Sequence, residues 1–329
     1  MKRVLVTGGG GFVGKAILKR LANQGIELVS LARGDYPELR ALGVETHRGD
    51  LADKDAVMKA VAGCDVVFHV AALAGIWGAY ETFYRANVLG TEHVIEACRA
   101  HGVKRLVFTS SPSVVQTDGD CEGGDESLPY PPSHRTYYQA TKAASEQAVL
   151  AANDAQLSTV ALRPRLIWGP GDRHLVPRLV DRAKKGRLRF LGSGDYLVDS
   201  TLIDNVVDVH LAAAERLAPG AACAGKAYFI SNGEPWPLDK LLNGILKARG
   251  VAPVRKRIPA GLAFAIGMIC EGIWWLFRLG GEPPMTRFLA RQLSTANWYD
   301  LSAARRDLGY EPRVSLDDGL KLLAEEPKE

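Results

Sequence analysis

A glycine-rich turn near the start of the chain constrains the fold more than any other feature of the sequence. Residues 4–6 (Val-Leu-Val) form a short apolar run typical of a buried strand, and a helical pattern begins at Lys15. Between them lie Gly8, Gly11 and Gly14, at three-residue spacing. A pyrophosphate group needs backbone N–H groups and the positive end of a helix dipole at close range, which side chains at these positions would prevent. The turn therefore predicts a dinucleotide site.

Strands and helices alternate through the first half of the chain. Strand patterns lie at 26–31, 44–47, 66–70 and 105–111, and helical patterns at 53–61, 81–101 and 140–152. Such alternation indicates parallel strands with helices on both faces of the sheet. The predicted fold class is α/β, a Rossmann-type doubly wound parallel sheet, and the 329 residues, 47% of them hydrophobic, can bury a large core.

Composition argues against several classes of function. The net charge is only +4, so no nucleic-acid surface is expected, and the basic cluster at 182–189 is interpreted as a solvated helix end. The five cysteines lack Cys-x-x-Cys spacing and the histidines lack metal-ligand spacing, which predicts neither a disulfide framework nor a metal. The first strand begins at once, without room for a signal peptide, so a cytoplasmic protein is expected.

The end of the second strand predicts the choice of cofactor. An acidic residue there would bind the ribose hydroxyls of NAD, but the sequence reads Leu31-Ala32-Arg33. A guanidinium with no carboxylate beside it would pair with a 2′-phosphate, so Arg33 favours NADP(H). Asp50 is expected to contact the adenine. Ala71 and Ala72 either let the cofactor lie against the backbone or have a plain packing role.

A tyrosine and a lysine four residues apart predict the chemistry. Tyr138 and Lys142 lie on one face of the helix that covers 140–152, and the strand at 105–111 ends in Ser111. A nearby ammonium stabilises a phenolate, so Tyr138 can exchange a proton closer to neutral pH, while the Ser111 hydroxyl holds a carbonyl oxygen. Asn87, inside a buried helical pattern, either bonds an adjacent backbone or joins a proton relay.

These motifs resemble those of the extended short-chain dehydrogenase/reductase family. The resemblance covers nearly the whole chain and includes residues 7–14 (Thr-Gly-x-x-Gly-x-x-Gly), 50–51, 69–72, 87–91, 109–111, 138–142, 162–172, 201–208 and 304–310. Within the family the chain looks most like the 3β-hydroxysteroid dehydrogenase branch. Segments 33–37, 74–78, 162–172 and 221–235 are most similar to the bacterial 2-alkyl-3-oxoalkanoate reductases of long-chain olefin biosynthesis.

The resemblance implies a division of the chain and a set of site residues. Residues 1–165 are expected to form the NADP-binding domain, rejoined by a strand near 226–231, and 166–329 mostly a smaller C-terminal substrate-binding lobe. Ser111, Tyr138 and Lys142 are implied to be catalytic. The predicted cofactor-binding residues are Gly8, Gly11, Phe12, Val13, Gly14, Arg33, Asp50, Leu51, Ala71, Ala72, Tyr138, Lys142 and Pro164. A homodimer through the helices at 81–101 and 140–152 is also implied.

The expected reaction is NADPH-dependent reduction of a lipid-like keto acid, a 2-alkyl-3-oxoalkanoate, to its 3-hydroxy acid. Alternatives are a 3β-hydroxysteroid or sterol dehydrogenase, a sugar-nucleotide epimerase and a non-catalytic NADP(H)-binding regulator. Arg165 and Arg173 are predicted to bind the substrate carboxylate, and Trp274 and Phe277 its alkyl chains. The apolar segment 260–279 is interpreted first as a buried helix, and otherwise as a pocket wall or as a surface that docks on a membrane or a pathway enzyme.

Overall fold

Seven parallel strands form the central sheet of the computed structural model, which describes residues 1–327. The strands of the chain are β1 (Arg3–Thr7), β2 (Glu27–Ala32), β3 (Glu45–Arg48), β4 (Val66–His69), β5 (Arg105–Thr109), β6 (Cys121–Gly124), β7 (Ser158–Pro164), β8 (Ile167–Trp168), β9 (Phe190–Leu191), β10 (Leu197–Val198), β11 (Thr201–Leu202), β12 (Lys226–Ile230), β13 (Trp236–Pro237), β14 (Arg257–Ile258) and β15 (Asn297–Tyr299). The central sheet has the order β12-β7-β5-β4-β1-β2-β3. This order, with β1 in the interior and the chain winding outward on both sides, confirms the predicted doubly wound α/β fold.

Helices connect these strands and cover both faces of the sheet. They are α1 (Phe12–Leu21), α2 (Pro37–Arg40), α3 (Lys54–Val61), α4 (Tyr80–Phe83), α5 (Gly90–Ala100), α6 (Tyr137–Ala151), α7 (Leu175–Lys184), α8 (Ile203–Arg216), α9 (Leu238–Ala248), α10 (Ala260–Phe277), α11 (Arg287–Gln292), α12 (Ser302–Leu308) and α13 (Leu316–Glu325). Val4 and Val6 of β1 pack with Ile17 of α1, whereas Leu5 packs on the other face with Val57 of α3. Apolar side chains on both faces are what a buried parallel strand requires.

One predicted helix is interrupted in the structure. The helix expected at 81–101 is broken by a π-helical segment, Tyr84–Leu89, between α4 and α5. The segment 112–133 contains a short 3₁₀ turn (Pro112–Val114) and the strand β6, which pairs with β15 from the far end of the chain. A glycine-rich sequence such as that of β6 forms a strand here because distant residues supply its hydrogen bonds, so no local pattern reveals it.

The segment 260–279 forms a helix that is mostly exposed. Only Ala263 and Gly267 of the 18 residues of α10 are buried. The expectation of a buried helix is therefore wrong. By length and composition α10 is the one helix within residues 1–327 that could span a membrane, although it lies along the protein on α11.

Smaller strand pairs hold the second half of the chain against the sheet. A four-stranded sheet has the order β13-β10-β15-β6, and two-stranded pairs join β8 to β11 and β9 to β14. A separate apolar cluster contains Trp168, Leu241 and Leu316, beyond the carboxyl edge of the central sheet. These contacts place α7, α9 and α10 beside the edge where ligands bind in open α/β sheets.

Candidate active site

The glycine turn forms the floor of a cleft at the carboxyl edge of β1. Gly8 has φ of +70°, and a Cβ there would lie 2.9 Å from the Cα of Ala71. A Cβ on Gly14 would collide with the backbone of Gly8, so the start of α1 packs directly on the turn. No side chain caps the N-terminus of α1 at Gly11, which leaves its N–H groups open to a phosphate. The cradle fits a dinucleotide.

The cleft has a volume of about 430 Å³ and gathers most of the predicted cofactor residues. Its lining includes Gly8, Gly11, Phe12, Val13, Gly14, Arg33, Asp50, Leu51, Ala71 and Ala72. It also includes Tyr36, Ile167 and His174, which the sequence did not single out. The ring of Tyr36 lies against Gly10 and Gly34, which leave room for it. No sequence pattern marks Tyr36 as a residue of the cofactor cleft, so only the fold reveals it.

A buried histidine anchors the backbone of this cleft. His69 accepts a hydrogen bond at Nδ1 from the Thr7 hydroxyl (2.8 Å), and its Nε2 lies 2.9 Å from Thr91 Oγ1. Because the Thr91 hydroxyl donates to the Asn87 carbonyl, Nε2 must carry the proton of the ring. Thr7 Oγ1 in turn accepts from the N–H of Ala71. Burial lowers the pKa of His69 to about 3, so the ring is a neutral core histidine.

Asn87 fixes the next residues of the cleft. Its side-chain oxygen accepts from the Leu73 N–H (2.7 Å), and its amide nitrogen donates to the Leu73 carbonyl (3.1 Å) and to Thr141 Oγ1 (3.0 Å). Both N–H donors of the amide are thereby used, and its oxygen accepts one hydrogen bond. Of the two roles left open by the sequence, the geometry supports the bond to an adjacent backbone. Asn87 lies in the π-helical turn, and its carbonyl also accepts from the hydroxyls of Thr91 and Ser145.

The three predicted catalytic residues meet at the ends of β5 and α6. Thr136 caps α6 and forms a capping box with Gln139, so Tyr138 and Lys142 lie on its first turns. The hydroxyl of Ser111 lies near the phenol of Tyr138. The ammonium of Lys142 donates to the Thr109 carbonyl (2.7 Å) and lies 3.9 Å from the centroid of the Phe108 ring.

Ser113 is a polar partner that the sequence did not reveal. Its hydroxyl donates to Ser111 Oγ (2.9 Å), and its backbone N–H donates to the same oxygen (3.3 Å). Because Ser111 Oγ already accepts two hydrogen bonds, its own proton points elsewhere. The Ser111 hydroxyl is thus set up as a donor, toward Tyr138 or toward a substrate oxygen in its place.

Burial dominates the electrostatics of this group. It raises the pKa of Tyr138, although the nearby Ser111 hydroxyl opposes the shift. The expected lowering of the phenol pKa is therefore absent. Burial lowers the pKa of Lys142 to about 7, and Glu146, one turn along α6, opposes this. Tyr138 is consequently a neutral phenol, the form that an acid needs.

A buried ion pair supports α6 from below. Glu146 pairs with Arg163 of β7 at 2.6 Å and accepts a hydrogen bond from Tyr130 at 2.6 Å. Both charged side chains are almost fully buried, so removing either would leave an uncompensated charge. The pair fixes the helix that carries Tyr138 and Lys142 against the sheet.

A larger cavity of about 1,270 Å³ opens beside the start of α6. It is lined on one side by residues 116–118, 133–137 and 76–79, and on the other by α10, α11 and the segment between them. Phe264 and Trp274 are the apolar α10 side chains that combine partial burial with a place in its wall, and Glu271 is the polar one. The interpretation of 260–279 as a pocket wall therefore holds for this side of α10.

The predicted substrate residues are not all brought together. Trp274 lines the cavity, whereas Phe277 is 66% exposed and is absent from its wall. Arg173 is exposed, and its charge acts on Glu38, beside the cofactor cleft. The Asp172 carboxylate accepts hydrogen bonds from the N–H groups at the start of α7 and so fixes the direction of the chain at this point. The structure therefore does not place Arg173 or Phe277 at the cavity, contrary to expectation.

Arg165 and Pro164 lie at the end of β7. In the register of β5 and β7, Thr109 pairs with Leu162, so Pro164 is level with Ser111. The Nε atom of Arg165 is buried without a hydrogen-bond partner. Among residues 1–327, Arg165 forms no salt bridge. The Nε atom therefore lacks a hydrogen-bond partner, while the charge of Arg165 acts on Asp199 and Tyr299. Arg165 is not part of the lining of the large cavity.

No group of three or more His, Cys, Asp or Glu side chains that could hold a metal ion occurs within residues 1–327. The site thus contains a dinucleotide cleft, a Ser-Tyr-Lys group and an adjoining large cavity.

Comparison with known proteins gives a consistent assignment. The model of the 3-beta hydroxysteroid dehydrogenase/isomerase family matches residues 5–259. The chain is 56% identical over 323 residues to a 2-alkyl-3-oxoalkanoate reductase of Stenotrophomonas maltophilia, covering 98% of both chains. It is 36% identical to the decarboxylating sterol-4-alpha-carboxylate 3-dehydrogenase of Mus musculus, covering 97% of this chain and 89% of that one. The solved structure of MoeE5 in complex with UDP-glucose and NAD is 26% identical, with a TM-score of 0.74 over 98% of this chain and 97% of that chain.

Proposed function

This chain belongs to the 3-beta hydroxysteroid dehydrogenase/isomerase family of nicotinamide-dependent oxidoreductases, and we propose that it reduces a 2-alkyl-3-oxoalkanoate to the 2-alkyl-3-hydroxyalkanoate with NADPH. The 56% identity to the reductase of Stenotrophomonas maltophilia supports this substrate class. The observation that carries the proposal is the unpartnered Nε of Arg165, which directly follows β7 at the carboxyl edge of the sheet, because a 3-oxo acid brings a carboxylate within a few bonds of the ketone. The proposed place of the reaction is a lipid step of olefin biosynthesis in the cytoplasm.

The Ser-Tyr-Lys group supplies the proton side of the reaction. A bound nicotinamide cofactor supplies a hydride to the ketone carbon. Tyr138 donates its phenolic proton to the ketone oxygen, and the raised pKa of Tyr138 keeps that proton in place until charge develops there. Ser111, whose oxygen already accepts two hydrogen bonds from Ser113, donates to the same oxygen and holds it. Lys142 lies one turn along α6 from Tyr138, and its cation would stabilise the phenolate left by the transfer.

The carboxylate and the alkyl chains have separate places in this proposal. Arg165 pairs with the carboxylate, which satisfies an Nε atom that otherwise lacks a partner in a partly buried site. Phe264 and Trp274 cover the alkyl chains, each buried methylene contributing about 0.8 kcal/mol. A cavity of about 1,270 Å³ exceeds the usual size of pockets for small ligands, which suits a long, branched lipid.

The preference for NADPH rests on the edge of the cofactor cleft. The Arg33 side chain is exposed at the end of β2, and its carbonyl accepts a hydrogen bond from Nε of Arg48 at 3.2 Å. Two guanidinium groups at this end of β2, with Ala32 in place of a carboxylate, support a preference for a cofactor with a 2′-phosphate.

The proposal extends to the organisation of the chain. Residues 1–165, with the strand near 226–231, would bind the cofactor, and 166–329 would mostly build the substrate lobe. Residues 328 and 329 lie outside the described part of the chain. The cavity wall supports this division because one side comes from loops of the first segment and the other from α10 and α11. A homodimer through α5 and α6, implied by the family, is part of the proposal.

The decisive experiment measures NADPH consumption with four matched substrates: a 2-alkyl-3-oxoalkanoate, the neutral ketone without its carboxylate, a 3-ketosteroid and a nucleotide sugar. We expect turnover of the keto acid with the highest kcat/KM. Arg165→Ala should raise KM for the acid by at least tenfold and leave that for the neutral ketone within twofold. Arg173→Ala serves as the matched control, since its charge acts beside the cofactor cleft instead. Preference for the ketosteroid or the nucleotide sugar would refute the proposed substrate.

A further inference from the structure

The exposed surface of α10 is apolar along its whole length. The structure describes this helix in full, and none of its exposed side chains is polar. The large exposed apolar side chains are Leu262, Ile266, Met268, Ile269, Ile273, Trp275, Leu276 and Phe277. The one charged residue of the helix, Glu271, turns inward and accepts hydrogen bonds from the backbone N–H (2.7 Å) and Nε (2.6 Å) of Arg287. Soluble proteins rarely leave so long an apolar surface uncovered.

The width of this surface indicates what covers it. At 3.6 residues per turn the exposed side chains occupy roughly 200° of the circumference of the helix. A helix pair in a dimer needs only a narrow stripe, which Ile269 and Ile273 would provide. Met268 and Trp275 lie more than about 100° away from that stripe and would stay in water. A broad apolar arc is instead what a helix lying in the boundary of a bilayer presents.

Positive charge is concentrated at the beginning of the same helix. The strand β14, directly before α10, pairs with β9, and the Phe190 N–H donates to the Lys256 carbonyl (3.0 Å). This pairing joins the segments 182–189 and 255–257, which we call the basic cluster. Its exposed cations are Arg182, Lys184, Lys185, Arg187, Arg255, Lys256 and Arg257. Only Lys185 and Arg257 of these form salt bridges within residues 1–327. Arg278 adds an exposed cation at the other end of the helix.

We propose that α10 docks this protein on the surface of an anionic lipid bilayer, with its apolar arc at the acyl boundary and the basic cluster at the headgroups. Each Lys or Arg near an anionic membrane strengthens binding, and the apolar side chains supply the rest. The large cavity opens along the same helix, since Trp275, Arg278 and Leu279 belong to its lining. On the proposed function, a hydrophobic keto acid can therefore enter the cavity from the bilayer. The docking itself does not depend on which substrate is reduced.

The test is vesicle flotation of the full-length protein. Vesicles of phosphatidylglycerol and phosphatidylcholine in equal parts should carry the protein to the top of the gradient, and vesicles of phosphatidylcholine alone should bind at least tenfold more weakly. Raising the salt concentration should weaken binding to the anionic vesicles. The double variant Ile269→Glu, Ile273→Glu should lose more than tenfold in affinity, and Arg187→Gln and Arg255→Gln about fivefold each.

Controls separate docking from folding and from catalysis. Leu322→Glu introduces one carboxylate at an exposed apolar residue of α13, which is remote from α10 in the chain, and should leave vesicle binding unchanged. Turnover of a short, water-soluble ketone should be equal in all variants, because neither Ile269 nor Ile273 lines the cavity. Failure of the wild-type protein to float with anionic vesicles would overturn the proposal. So would light scattering that shows a wild-type dimer dissociating in the Ile269→Glu, Ile273→Glu variant, which would assign the surface to a second copy of the chain.

Discussion

Replacement of Asn87 by alanine tests how the cofactor cleft is held in place. The amide of Asn87 makes three hydrogen bonds, two with the backbone of Leu73 and one with Thr141. Each contributes about 1 kcal/mol, and water can reach part of the freed Leu73 backbone, so Asn87→Ala should lower the free energy of unfolding by roughly 2–4 kcal/mol. Because residues 71–74 line the cleft, their displacement should also raise the Kd for NADPH about tenfold, equivalent to about 1.4 kcal/mol.

Urea unfolding and NADPH titration measure the two effects separately. Thr141→Val is the matched variant, since it removes only one of the three bonds of the Asn87 amide and leaves both bonds to Leu73. It should cost about 1 kcal/mol and leave the NADPH Kd unchanged. If Asn87→Ala keeps both the unfolding midpoint and the NADPH Kd but loses turnover, the amide acts in a proton relay and the inference from its geometry is wrong.

Three further predictions concern the cofactor, the acid and the buried lysine. Ala32→Asp with Arg33→Asn should shift the preference from NADPH toward NADH, measured as the ratio of the two kcat/KM values; equal use of both cofactors by the wild-type enzyme would contradict the role of Arg33. Tyr138→Phe should abolish most turnover and leave the NADPH Kd within about threefold, because it removes the proton but little contact area; an unchanged rate would move the acid to another residue, Tyr137 first. Lys142→Met should stabilise the cofactor-free protein most at pH 6, because the folded-state pKa of Lys142, about 7, lies below its usual value of 10.5. Above pH 7 the wild-type protein gains about 1.4 kcal/mol per pH unit from this group, so the advantage of the variant should shrink by roughly 3 kcal/mol by pH 9, and urea unfolding at the two pH values checks this. If the difference in the free energy of unfolding between the variant and the wild type does not vary with pH, the pKa of Lys142 is not lowered in the folded protein.

Features encoded by adjacent residues were accessible from the sequence. The glycine turn requires a strand, three glycines and a helix start within the first 15 residues, and Tyr138 and Lys142 share a face through helical spacing alone. Both depend on local geometry. The parallel, doubly wound sheet followed from the alternation of strands and helices, and the structure confirms it.

Features set by distant contacts were not accessible. Ser113 and Tyr36 gain their places only when the loops fold over Ser111 and Gly10, and β6 forms only because β15 pairs with it. Arg173 was predicted to bind the substrate carboxylate because it is basic and close to β7 in the chain. The hydrogen bonds of the Asp172 side chain to the start of α7 instead hold this segment beside the cofactor cleft. Hydropathy identified the segment 260–279 without showing which of its faces meets protein, since a core helix and a surface helix can have the same composition.

Gly267 limits how the substrate cavity can be remodelled. A Cβ at this position would lie 2.6 Å from the backbone of Thr286, where α10 crosses the start of α11. Backbone atoms cannot move aside as a flexible side chain can, so any larger residue there would displace the whole helix and open the wall. The distance between the two helices is therefore a fixed dimension of the protein, whereas the depth of the cavity is set by the side chains of Phe264 and Trp274. Engineering of chain-length selectivity should start from those two side chains, with the helix crossing left as it is.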